Sequence, residues 1–174
     1  IQNPDMKKLK PFLQPYTQAS TKKAIIQILN SLIPYFALWG LMIWSLRFSY
    51  WITFGLAIIT ALFLVRIFIL FHDCGHNSLF PSTKANKFVG FFLGILVFTP
   101  SEQWWRSHAI HHASSGNLDK RGVGDVMTLT VDEYRSKSSL GRLGYRLFRH
   151  PLVMFLLGPI YMFGKIFFLM FGII

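Results

Sequence analysis

Five of the six histidines in this chain fall into two short clusters, "HDCGH" at 72–76 and "HAIHH" at 108–112. His72 and His76 stand at i and i+4, so on a helix both rings point to one side. His108, His111 and His112 stand at i, i+3 and i+4 and share a face in the same way. Neutral imidazole is the commonest metal ligand and suits iron, zinc, copper or nickel. Five nitrogens exceed the needs of one tetrahedral zinc, which points to two metals or one incompletely filled pair. H-x-x-x-H arises easily by chance, whereas H-x-x-H-H is rare and carries most of the specificity. A purely structural role would leave five polar rings to satisfy at a single boundary, which is costly.

The elements that must position these clusters are greasy. Of 174 residues, 52% are hydrophobic, 17% aromatic and only 14% charged, where a water-soluble domain carries about a quarter charged. Apolar stretches run over about 24–46, 48–71, 88–98 and 152–174. A spanning helix needs about 20 residues, so the first, second and fourth qualify and the eleven-residue third does not. The expected fold is an all-α integral membrane protein with three transmembrane helices and one short re-entrant or interfacial helix. Pro34 is expected to kink the first span, Ser20 or Thr21 to cap it, and "RFSY" at 47–50 to form a tight hairpin. The polar "NSLFPSTKANK" after the first cluster is expected to be a turn-rich connection. Trp104 and Trp105 suit the headgroup level. Because the short run cannot span, both histidine clusters are expected on one side of the membrane.

The net charge of +11 is unevenly distributed. Lys7, Lys8, Lys10, Lys22 and Lys23 precede the first span, Arg47 alone lies in the hairpin, and eight basic residues fill 106–149. This is the positive-inside pattern, with the basic lead-in 1–23 and the segment 113–150 cytosolic. Basic residues beside anionic lipid explain the charge, and no nucleic-acid partner is expected. The single cysteine, Cys74, cannot form an internal disulfide and lies off the face of the two flanking histidines.

"HDCGH" followed by "HAIHH" resembles the first two histidine boxes of the membrane fatty acid desaturases, in the methyl-end Δ12/ω3-like branch. The flanking "FLVRIFILFHDCGHNSLF", "WWRSHAIHHASSGNLDKRGVGDVMTLTVDEY" and "YRLFRHP" extend the likeness over about residues 30 to 165. The resemblance implies a four-span helical fold with a cytosolic cap and a cytosol-facing di-iron centre. It implies O₂ as co-substrate, electrons from ferredoxin or cytochrome b5, and removal of two hydrogens from an acyl chain to leave a cis double bond. The substrate would be an acyl-lipid, acyl-CoA or acyl-ACP. His72, His76, His108, His111 and His112 match the box positions and carry over as iron ligands. The family's third box, H-x-x-H-H or Q-x-x-H-H, is absent from residues 1–174, and His150 in "FRHPL" does not match it. The chain is therefore expected to be one partial desaturase domain, inactive alone.

Rival functions are a related di-iron hydroxylase or ketolase, a membrane zinc peptidase, and a non-enzymatic metal-binding membrane protein. A zinc peptidase wants glutamate beside the first histidine, where Asp73 stands. Asp73, Asp119 and Asp125 are candidate acceptors from the outer N–H of a ligating ring. Arg66, about 9 Å along a helix from His72, is expected to snorkel or pair with an acid.

Overall fold

The computed structural model describes residues 4–13, 18–121 and 126–170. Among these it is helical without strands: α1 (Pro4–Leu13), α2 (Thr21–Ser45), α3 (Tyr50–Gly75), α4 (Thr83–Leu96), α5 (Ser101–Ser114), α6 (Val131–Ser136), α7 (Ser139–Phe148) and α8 (Pro151–Met170). Two compact units divide the chain, Ile1–Arg106 and Ser107–Ile174.

In the first unit, α2 and α3 form an antiparallel hairpin through the turn that ends at the N-cap Ser49, whose hydroxyl accepts from the Trp51 amide. The seam between the helices is lined by small polar side chains. Ser31, Ser45 and Thr60 are buried, the Ser45 and Thr53 hydroxyls meet at 2.7 Å, and the Thr60 hydroxyl donates to its own helix at the Leu56 carbonyl. Large apolar side chains such as Trp51, Ile43 and Phe54 face outward instead. Close approach through small residues with an apolar exterior is how helices pack in lipid. Both α2 and α3 are long and apolar enough to cross a membrane.

α3 continues beyond the apolar stretch through the first cluster to Gly75, in keeping with the helical face expected of His72 and His76. Other details differ from expectation. α4 begins at Thr83 rather than 88, because the Ser82 hydroxyl caps it by accepting from the Ala85 amide; at 14 residues it rises about 21 Å, still short of a span. Pro34 lies inside α2, which runs on past it, and Ser20 occupies the N-cap without a side-chain bond. Among the described residues Arg66 pairs with no acid; its Nε donates to the Ser31 hydroxyl at 2.9 Å. The lead-in contains a helix, α1, that the prolines did not suggest. Of the expected third span, α8 covers Pro151–Met170, and 171–174 lie outside the described residues.

The core of the first unit is the C-terminal end of α3 with its neighbours. Ile67, Leu70, Phe71 and Cys74 are buried there with Leu79, Phe80 and Leu93. In the second unit the capping box of α6, in which Thr130 and Glu133 bond reciprocally, fixes the start of that helix.

Candidate metal centre

His72 is the last-turn residue of α3 and His76 is its C-cap. Their ring centroids lie 4.5 Å apart, edge to face. The Asp73 carboxylate is 3.2 Å from His72 Nδ1. With the proton on Nδ1 the ring donates to Asp73, and Nε2 keeps its lone pair for a metal. Asp119 sits in the 3₁₀ turn Leu118–Lys120, and Asp125 lies outside the described residues.

The chain after His76 is pinned from within. Asn77 takes a positive φ of 54°, and the chain returns as Leu79 and Phe80 enter the core. Asn86, fully buried on α4, donates to the carbonyls of Phe80 at 2.7 Å and Ser82 at 3.0 Å and accepts from the Phe80 amide at 3.0 Å. Sequence reasoning took this stretch as a polar loop and missed Asn86. Its only sequence signal is an amide four residues past a capping serine.

The first half of α5 belongs to the same core. Trp104 lies 5.1 Å from Phe71, 5.4 Å from Phe68 and 5.9 Å from the His72 ring between centroids. Trp105 stacks on Phe71 at 5.6 Å with planes 22° apart. Two glycines make room for it. A Cβ on Gly75 would stand 2.6 Å from Trp105 Nε1, and one on Gly90 would stand 2.6 Å from its Cζ2 and 2.9 Å from the Cys74 Cβ. Both indoles are half-buried packing groups of this unit.

The second half of α5 carries the other cluster into the second unit. His108 and His112 bring their Nε2 atoms to 3.0 Å, with ring centroids 4.5 Å apart. The His111 ring lies 5.9 Å from His108 and 5.8 Å from His112. The donor set fits a metal: at a metal–nitrogen bond of about 2.0–2.1 Å, two nitrogens on adjacent coordination positions stand about 2.9–3.4 Å apart. His150, just before α8, is exposed and its amide donates to the Leu147 carbonyl.

Beyond the clusters, Arg121 holds the Glu133 carboxylate with both guanidinium nitrogens, at 2.9 and 2.5 Å. That pairing, helped by the Thr130 amide, pushes the Glu133 carboxyl down to about 2 and raises Arg121.

Comparison with known proteins follows the same residues. The family described as fatty acid desaturase matches 49–172. A fatty acid desaturase of Bacillus subtilis is 50% identical over 157 residues, covering 90% of this chain and 45% of that protein. An endoplasmic reticulum omega-3 fatty acid desaturase of Vigna radiata is 32% identical over 99 residues, covering 57% of this chain and 25% of that protein. An sn-1 acyl-lipid omega-3 desaturase (ferredoxin) of Synechocystis is 31% identical over 99 residues, covering 57% and 26%. The chain thus spans less than half the length of these curated relatives. No solved structure matches it significantly. With both histidine boxes inside the matched region, the chain belongs to the fatty acid desaturase family.

Proposed function

We propose that the protein carrying this chain is a multi-pass membrane desaturase that introduces a double bond into the acyl chain of a lipid, with its histidine boxes on the cytosolic face. The observation that carries this reading is the 3.0 Å approach of His108 and His112 Nε2, a two-ligand metal bite in a chain of this family. From the likeness of the two boxes to those of the family we assign His72, His76, His108, His111 and His112 to one di-iron centre.

Iron bound there would supply, with O₂, the oxidising power that no side chain has for an unactivated methylene. The residues of the chain do the rest. The imidazoles bind as neutral ligands, Asp73 holds the His72 proton on Nδ1, and Trp104 packs against the His72 ring. The acyl substrate enters from the lipid around α2 and α3. Reducing equivalents come from a carrier in the water phase; the Synechocystis relative is named for ferredoxin, and cytochrome b5 is the alternative donor. The basic residues between Arg106 and Arg149 are complementary to such an acidic carrier.

The test is expression of the full-length gene in a host that lacks the product, with fatty acid profiling and iron analysis. New double bonds should disappear, and iron per protein should fall, in His72→Ala and His108→Ala. Unchanged iron and unchanged double bonds in His108→Ala would overturn the assignment.

A further inference from the structure

α7 is packed inside out. Leu140, Leu143 and Leu147 fall at i, i+3 and i+7, with Phe148 beside them, and form one apolar stripe. In a water-soluble unit that stripe would face the core. Here the four side chains are 78%, 51%, 51% and 52% exposed, and the opposite, polar face is the one engaged within the second unit. The Tyr145 hydroxyl accepts from the Leu129 amide at 3.2 Å, and Arg146 Nε donates to the Tyr134 hydroxyl at 2.6 Å. Tyr134 and Tyr145 pack at 5.8 Å, and Arg149 reaches the Met127 carbonyl at 3.4 Å.

Polar bonds therefore fix which way the helix faces, and they turn its leucines outward. The helix ends at Phe148, and the apolar α8 begins at Pro151. From 131 to 150 the chain has five basic residues (Arg135, Lys137, Arg142, Arg146 and Arg149) against two acidic ones (Asp132 and Glu133). A basic amphipathic helix directly before an apolar one matches a membrane surface in chemistry and position. An acidic soluble carrier complements the charge but leaves the leucines unexplained.

We propose that α7 lies on the bilayer, its leucine face sunk into the acyl–headgroup boundary. The proposal rests on reading the chain as a membrane protein. The experiment uses the full-length protein in vesicles of phosphatidylcholine and phosphatidylglycerol, with a bimane fluorophore on single cysteines in a Cys74→Ser background. Leu143→Cys probes α7, Ile58→Cys the outer face of α3, and Asp132→Cys the aqueous side. Doxyl-labelled lipid should quench bimane at 143 about threefold more than at 132, and iodide should do the reverse. Lipid quenching at 58 with iodide quenching at 143 would overturn the proposal and leave the membrane reading standing. Iodide quenching at 58 as well would bring down both. If 143 is shielded from iodide only when ferredoxin is added, the face belongs to a protein carrier and the proposal is wrong.

Discussion

Asn86 has no volume or charge to advertise it, yet its side-chain amide ties down the chain that leaves box one. Replacing it with Ala strands the Phe80 amide and carbonyl, a residue that is itself buried. The expected loss is about 2–4 kcal/mol, read as an earlier midpoint of detergent unfolding. Asn86→Asp, which sets a carboxylate oxygen against the Phe80 and Ser82 carbonyls in a fully buried site, should lose at least as much. Glu133 gives the second prediction at this scale. Its carboxyl is depressed to about 2 in the folded state, first by the Arg121 hydrogen bond and then by the Thr130 amide. An unfolded glutamate titrates near about 4.3. The pairing therefore supports the 126–134 segment fully above about pH 5 and lets go as pH falls towards about 2. Hydrogen exchange, corrected for intrinsic rate, should show amides 126–134 opening across that window, and Glu133→Gln should remove the dependence.

At the scale of elements, the glycines decide how α3, α4 and α5 meet. Gly90→Ala places a methyl group 2.6 Å from Trp105 and 2.9 Å from Cys74, which costs about 1–3 kcal/mol as overpacking. Trimming the indole should return part of it: the double variant Gly90→Ala/Trp105→Phe should be more stable than the sum of the single losses allows, measured as a double-mutant cycle. Helix periodicity made α2, α3 and the shared faces of both boxes legible in the sequence, because those depend on local spacing alone. The seat of Trp105 was not legible. Its ring was expected at a headgroup, and a cavity shared by three helices leaves no periodic trace. The change from apolar to polar residues at His72 marks a change of surroundings, whereas the helix itself continues to Gly75.

For the whole molecule, the lysine and arginine bias predicts a topology with both boxes cytosolic and the Arg47–Tyr50 hairpin outside. Single cysteines at Ser49 and Ser115, in a Cys74→Ser background, should react with an impermeant maleimide from opposite sides of sealed vesicles. Reaction of both from one side would refute that topology. A last consequence follows from the unbroken run of α3 out of the apolar stretch and through His72. Depth in the membrane and compass bearing of box one are set by a single residue count. Deleting one residue between Leu62 and Ile69 would swing both imidazoles by about 100° and draw them in by about 1.5 Å. No loop intervenes to absorb the slip. Length changes should therefore be as damaging there as loss of a ligand, while gaps in the exposed turn around Gly116 should be tolerated.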